Sequence, residues 1–403
     1  MLLALPRRVL LTASLCAHVL CTPPLCAQQD TPILLVSLTS NDFVDGLLVE
    51  DQALALHRPD APAWGALPSS TFALHMGDGD GDGADDVFGD VDALYVFPGE
   101  GPVLPRLLLS LVSDQYGFLD GDVLGVGASG FFELVVPEST FVIAVGALDG
   151  DVDVDALHRE PDGTWLFSLA DDEDSDVLSG DQVGRVLDGA VLRLPAGGVL
   201  AEIVYTETGV GSLASAALGA SAVITDTKGL ARDPTTGALL LCTQNPSSLD
   251  GAVFTDGGVV LSGHAEADFG FAFGGELDAL EVVADAWPGL TASTETPVPG
   301  SSVVLYLNGA RPFEPYLLML SFSVGEVLLP AQGWGGLVLS PDAAFQAGLD
   351  ALGALTLVSD EQGTVFAFVG LAPSVPAVDV VLQAVSLGLP RQASNPLLLE
   401  IAP

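Results

Sequence analysis

Lysine is almost missing from this chain. Lys228 is the only one, and with the arginines it makes 11 basic residues against 53 acidic ones, a net charge of −42. Such a surface repels nucleic acid and anionic membranes and attracts cations, so no nucleic-acid partner is expected. Cysteine is scarce too. Of the four, Cys16, Cys21 and Cys26 lie near the N-terminus and only Cys242 follows, which excludes an internal disulfide framework beyond the first segment. No later run is apolar enough to span a bilayer, so no membrane span is expected. Catalytic signatures are missing as well. His57, His75, His158 and His264 lack His-x-x-x-His or Glu-x-x-His spacing. Neither a Gly-x-Ser-x-Gly elbow nor a Gly-Lys-Ser/Thr phosphate loop is present.

What is there begins with a leader. Arg7 and Arg8 precede the apolar run from Val9 to Leu20, followed by a polar segment ending near Ala27. That is the order of a secretory signal peptide, residues 1–27, with cleavage near Ala27 and a secreted product, extracellular or periplasmic. The leader cysteines lack the preceding small residue of a lipoprotein signal, so no lipid anchor is expected. An exported chain without disulfides needs another way to fix its loops, and bound calcium is one.

With 46 glycines, 27 prolines and short apolar runs between them, the chain reads as short strands and turns, an all-β protein. A hydrophobic fraction of 49% excludes disorder. Two patterns alternate from Pro32 to about Leu290. The first is acidic-apolar-Asp-Ala-Leu, at Asp90–Leu94, Asp153–Leu157 and Glu276–Leu280, with looser copies at Asp51–Leu54 and Asp226–Leu230. The second is an apolar run that breaks into a polar loop, as in Ile33–Leu38, Leu107–Leu111, Trp165–Leu169 and Leu239–Cys242. Units of roughly 40 to 75 residues with room for three or four strands predict an irregular β-propeller of about five blades over residues 28–290.

Near Trp287-Pro288-Gly289 the acidity falls away. Strands are predicted at Ser302–Leu307, Tyr316–Phe322, Gly336–Leu339, Ala354–Val358, Thr364–Val369, Val378–Val385 and Pro396–Ile401, a C-terminal β-sandwich over residues 291–403. Its segments Pro299–Val303, Pro315–Leu318, Leu382–Val385 and Ser394–Leu399 resemble a C-terminal domain that recurs in exported proteins of environmental bacteria. The resemblance implies an appended surface or spacer module.

One stretch carries metal chemistry. In Gly-Asp-Gly-Asp-Gly-Asp-Gly-Ala-Asp-Asp, Asp78, Asp80, Asp82, the Ala84 carbonyl and Asp86 occupy positions 1, 3, 5, 7 and 9 of a loop that Gly83 allows to bend. Hard oxygens at that spacing suit calcium, and Ca2+ is the expected structural ion. Gly89 stands where an EF-hand needs a bidentate glutamate, so a helix-loop-helix site is excluded. The nine-residue form, with Val87-Phe88-Gly89 and Leu94–Gly99 after it, resembles the FG-GAP calcium loops of integrin α-subunit propellers. The resemblance implies Asp78, Asp80, Asp82 and Asp86 as side-chain ligands.

Other acidic residues read more plainly. Asp149, Asp151, Asp153 and Asp155 alternate, and on one strand they would share a face and repel unless a cation sat there. The run Asp171–Asp176 reads as a solvated loop, and the aspartates of the Asp-Ala-Leu units as turn-capping groups. Cys242 and Trp165 read as buried strand residues. The function expected is a calcium-stabilised, non-enzymatic binding or structural protein whose ligand is a cell-surface or extracellular polymer. The alternative is a calcium-dependent extracellular hydrolase acting on polysaccharide or phosphoester, with carboxylates open to substrate in the central channel.

Overall fold

The computed structural model describes residues 32–44, 47–51, 53–59, 61–67, 72, 76, 89–97, 107–126, 131–219, 221, 224, 226–244, 251–271, 275–283, 289–293, 296–308, 313–321, 356–359, 365–371, 377–387, 394 and 397–401. The leader, the loop from Asp78 to Asp86 and the strand expected at 336–339 lie outside them.

The chain opens with β1 (Ile33–Leu38), the hairpin β2 (Asp42–Val44) and β3 (Leu47–Val49), then β4 (Leu54–Arg58) and β5 (Ala61–Leu67). Next come β6 (Val91–Val96), β7 (Leu107–Leu111), β8 (Val123–Val126), β9 (Phe132–Val136) and helix α1 (Glu138–Val145). The third group holds β10 (Val154–Arg159), β11 (Trp165–Leu169), the small pair β12 (Glu173–Asp174) and β13 (Arg185–Val186), β14 (Val191–Leu194), β15 (Glu202–Tyr205) and helix α2 (Glu207–Leu218). A fourth holds β16 (Asp226–Arg232), β17 (Leu239–Gln244), β18 (Phe254–Thr255), the short helix α3 (Glu266–Phe269) and β19 (Leu277–Val283). The protein is mostly β, as its composition predicts.

The two sequence patterns turn out to be hydrogen-bonded neighbours. In the antiparallel sheets β6-β7-β8-β9, β10-β11-β14-β15 and β16-β17-β18, the Asp-Ala-Leu strand comes first and the apolar run second. In the remaining sheet, β19-β1-β4-β5, the first strand is β19 from residues 277–283 and the second is β1 from the start of the described chain. β6 packs beside β10, β10 beside β16, β16 beside β19, and β19 beside β6, so the four first strands form a closed cycle of contacts. The unit Asp51–Leu54 begins no sheet; it leads into β4, third in the sheet headed by β19. Five sequence units thus correspond to four sheets in the cycle.

Apolar packing follows the same cycle. Along β11 the side chains alternate, as a strand's must. Trp165 and Phe167 join the core shared with β6 and β7, and Leu166 joins the core shared with β16 and β17. Two further cores lie between the sheets of β16 and β19 and between those of β19 and β6. The first and second strands are buried along nearly their whole length, whereas β9 and β15 show exposed residues. Two Gly-Asp pairs, Gly121-Asp122 and Gly180-Asp181, serve the helices. Asp122 Oδ1 accepts from Glu138 N at 2.8 Å at the start of α1, and Asp181 Oδ2 from Thr208 N at 2.8 Å in the first turn of α2. Each carboxylate satisfies an N–H that has no partner within its helix.

Ser37, Ser110 and Ser168 on the second strands lie opposite Ala279, Ala93 and Ala156. The equivalent pair in the β16 sheet is Cys242 opposite Gly229. A Cβ on Gly229 would lie 2.5 Å from Cys242 Sγ and 2.7 Å from Leu280 Cβ, so the larger sulfur and the missing methyl belong together. Cys242 is fully buried on its strand, as expected, and Trp165 is buried too.

Beside β1 two imidazoles meet in the interior. His264 Nε2 is 2.9 Å from the Pro32 carbonyl, and its Nδ1 is 3.0 Å from Nδ1 of His57. His57 Nε2 is in turn 3.2 Å from the Asp268 carbonyl. Burial first, and the neighbouring imidazole second, lower the His264 pKa to about 4. An unfolded histidine takes its proton near 6.5. Between those values the unfolded chain binds more protons, so this part of the stability is present above pH 6.5 and is lost as the pH falls towards 4. The expected loss approaches about 3 kcal/mol. Urea unfolding of the native protein and of His264→Gln at pH 7 and pH 4 isolates it: the variant should lack that part of the slope, and equal slopes would clear His264 of the role.

The C-terminal part holds β20 (Gly289–Ala292), β21 (Ser302–Asn308), β22 (Pro315–Ser321), β23 (Thr356–Val358), β24 (Val365–Gly370), β25 (Val378–Ser386) and β26 (Leu397–Ile401). They form two antiparallel sheets, β20-β21-β24 and β23-β22-β25-β26. One core joins them, with Leu290, Val303, Leu305 and Leu307 from the first and Tyr316, Leu318, Leu382, Leu397 and Leu399 from the second. Among the described residues no helix is long and apolar enough to cross a membrane.

Candidate functional site

The third residue of each Asp-Ala-Leu unit is Asp92, Asp155, Lys228 or Asp278. Each falls where its strand's register slips against the neighbouring strand: between Val91 and Ala93, between Val154 and Ala156, between Asp226 and Gly229, and opposite the Ser37/Leu38 step. A bulge leaves one residue out of the ladder and re-aims its side chain. Here the re-aimed chains converge. Carboxylate oxygens of Asp92, Asp155 and Asp278 lie within 4.8 Å of one another, and all three residues are buried. Lys228 Nζ donates to Asp155 Oδ1 at 2.8 Å and lies 3.1 Å from Asp226 Oδ2 and 3.7 Å from Asp278 Oδ1. These aspartates are therefore not turn caps. The local preference of aspartate for turns yields here to a position repeated on four strands that meet.

The electrostatics are one-sided. Burial and then the neighbouring carboxylates raise Asp226 to about 9, and burial raises Asp278 to about 7 against the pull of Lys228. Asp92 and Asp155 are pushed well above the usual carboxylate range, again by burial first. Burial alone would lower the Lys228 ammonium, but Asp155, Asp226, Asp278 and Asp92 together hold it above its ordinary value. Asp155 Oδ2 and Asp226 Oδ1 meet no N–H or O–H donor among the described residues, and the two carboxyls hydrogen-bond to each other when one of them holds a proton.

Three residues further along their strands, Tyr95, His158 and Glu281 form a second buried group. His158 Nδ1 is 3.4 Å from Glu281 Oε2, and the Tyr95 and His158 rings meet edge-on at 5.6 Å. Burial first, and the Glu281 carboxylate second, push the Tyr95 hydroxyl up to about 12. Sequence spacing gave no sign of this contact between β6, β10 and β19.

The alternating aspartates do not share a strand face. β10 begins at Val154, Asp149 and Asp151 are exposed ahead of it, and Asp155 alone of the four lies within the strand. Asp151 instead approaches Asp120 and Glu138, a second acidic group. The run from Asp171 to Asp176, expected as a solvated loop, is largely exposed, but Glu173 and Asp174 form β12 against β13, and Glu173 is buried and raised to about 7 by burial and then by Asp149. A third acidic group joins Asp172, Asp188 and Glu207, with Arg185 2.8 Å from Asp172. Asp78, Asp80, Asp82, Ala84 and Asp86 lie outside the described residues.

A surface groove of about 530 Å³ runs between the sheets of β10 and β16, lined by Glu160, Asp162, Arg193, Tyr205, Arg232 and Asp256 among others. Arg232 is already engaged there by Glu160 and by the Gly237 carbonyl.

No protein-family model matches the chain, and no curated protein matches it. Among solved structures, a similar chain is a fungal alcohol oxidase of the AA5 family in complex with copper, 8% identical, matched over 90% of this chain and 63% of its own length with a TM-score of 0.18. This chain spans under two thirds of that protein, and a likeness so slight carries no argument.

Proposed function

We propose that the protein is an exported, acidic, non-enzymatic scaffold, stiffened by calcium, whose outer face binds a cell-surface or extracellular polymer. In this reading the cycle of sheets is a propeller of four blades, and the two C-terminal sheets are a β-sandwich serving as a surface or spacer module. The observation that carries the reading is the sealed centre. The residues repeated from unit to unit converge where solvent hardly reaches, and a carboxylate shut away from a substrate can hold strands together but cannot handle a reaction on one. Export rests on the leader, and calcium on the loop from Asp78 to Asp86.

The second reading, a calcium-dependent extracellular hydrolase, draws on the groove. It brings Glu160, Asp162 and Asp256 to one open surface with Arg193 and Tyr205, a setting for a polar polymer. Glycoside hydrolysis needs a pair of carboxylates at a defined separation. Screening the mature protein against polysaccharides, with Asp162→Asn and Asp256→Asn as controls, separates binding from turnover.

The first test of the scaffold reading is calorimetric. Calcium at a hundredfold excess over its dissociation constant should add about 2.7 kcal/mol if it binds the native state alone. The melting temperature of the mature protein should rise with calcium and fall with a chelator, and Asp80→Ala should remove much of the rise. A calcium response untouched by Asp80→Ala would reduce the loop to an acidic turn.

A further inference from the structure

We infer that His57 and His264 hold one shared proton in the folded protein, which makes the pair a single buried cation and a pH-sensitive clasp between the start of β1, β4 and α3. Three contacts lie in a row. His264 Nε2 is 2.9 Å from the Pro32 carbonyl, the two Nδ1 atoms are 3.0 Å apart, and His57 Nε2 is 3.2 Å from the Asp268 carbonyl. A carbonyl oxygen only accepts, so each Nε2 must carry a hydrogen to bond there. The two Nδ1 atoms then need one hydrogen between them. Three hydrogens on four ring nitrogens are one more than two neutral imidazoles possess. In a neutral pair one contact of the three sets lone pair against lone pair; with the extra proton all three are hydrogen bonds.

The surroundings favour the completed row. His57 is 1% exposed and His264 fully buried, and an interior carbonyl or ring nitrogen left without its partner is costly. The Phe269 ring lies 4.2 Å from the His57 ring, tilted by 30°, and an aromatic face attracts a cation. Of the charged groups on the elements around the pair, Glu266 and Asp268 belong to α3, and Asp268 acts on His264 in favour of the proton. Arg58 follows His57 along β4, where successive side chains point to opposite faces. β1 and β5, the neighbours of β4, carry no charged residue.

Pro32 leads straight into β1, the strand that pairs with both β19 and β4, so the clasp secures the closing of the cycle. Its pH dependence has two limbs. Well above 6.5 the two histidines of the unfolded chain hold no proton against the folded pair's one, and well below 6.5 they hold two. The pair's contribution therefore peaks near 6.5 and falls on both sides. On the acid side a further proton meets burial and the charge already on the neighbouring imidazole, the two causes that lower His264. On the alkaline side the shared proton leaves and the row of contacts breaks.

Magnetic resonance of the unaltered mature protein, isotopically labelled at the histidine nitrogens, counts the protons at pH 7. Scalar coupling between two ring nitrogens across a hydrogen bond marks the pair without any substitution. Three of its four nitrogens should be protonated, with one proton far downfield between the Nδ1 atoms. Two protonated nitrogens, or no coupled rings, would overturn the proposal. Urea unfolding of the native protein and of His57→Gln between pH 7 and pH 9 reads the clasp. The unfolding constant of the native protein should climb by up to about tenfold more per pH unit than that of the variant, because one more proton is released on unfolding. Equal slopes would show that no clasp proton is held. If His57→Gln does not fold, the same nitrogens followed towards pH 9 decide. A third proton kept beyond about pH 7.5, where a free histidine is mostly neutral, supports the clasp, and its loss near 6.5 overturns it.

Discussion

Lys228→Met is expected to destabilise the fold by about 3–5 kcal/mol, the range for removing one partner of a buried ion pair. Methionine keeps the length and packing of the side chain, so the loss isolates the charge. Lys228 touches three carboxylates at 2.8, 3.1 and 3.7 Å. Among the described residues, Lys228 is the basic group that pulls Asp92, Asp155, Asp226 and Asp278 down. The sign of the pH dependence follows. Asp226 and Asp278 stand at about 9 and about 7 with the ammonium present, and Lys228 lowers both, so its removal sends them higher. A carboxyl raised in the folded state contributes fully below its unfolded value near 4 and loses that contribution as the pH climbs through the folded value. The deficit of Lys228→Met should therefore be small at pH 5 and large at pH 8. Lys228→Arg keeps the charge in a bulkier head and should fall between. Urea unfolding in chelator at both pH values measures it. A methionine variant as stable as the native protein at pH 8 would mean that ion pairing does not hold the centre.

The sequence showed most of the strands and little of their arrangement. Short apolar runs bounded by glycine, proline and aspartate are local signals, and they placed β21, β22, β24, β25 and β26 to within a residue or two. Which strand lies beside which is not local. That β1 pairs with β19, as at Leu35↔Glu281, 246 positions apart, depends on packing between distant segments, not on either segment alone. The count of units suffered for the same reason, since Asp51–Leu54 imitates the motif but enters the third strand of a sheet. The centre was half legible. Aligning the units at their third position gives Asp, Asp, Lys, Asp, and the only lysine of a very acidic chain standing in that column is a signal that spacing alone would have exposed. What the column cannot show is the bulge at each strand, which turns these side chains inward instead of leaving them to cap turns.

Removing β1 should prevent folding altogether. The strand lies between β19 and β4, hydrogen-bonded on both sides, and among the described residues it is what joins the last first-strand to β4 and β5 within the sheet. Its residues divide between two cores. Leu35 packs against the β6 and β7 side, and Leu34, Val36 and Leu38 against the β16 and β17 side. Ser37 Oγ adds a donor to the Val91 carbonyl of β6 at 3.1 Å, tying the sheet to its neighbour. Burying each of those four aliphatic side chains is worth about 1.5–3 kcal/mol. Together they contribute roughly 6–12 kcal/mol, as much as the whole stability of many domains. A mature chain that starts at residue 39 also leaves β19 and β4 as open edges, which invite pairing between molecules. Expressed in the same way as the full mature chain, it should be insoluble or protease-sensitive without a cooperative melt. A synthetic peptide of residues 31–40 added during refolding should restore part of the folded population, because the groove between β19 and β4 accepts that strand in one register. Cooperative unfolding of the truncated chain without the peptide would show that the cycle of sheets holds without β1.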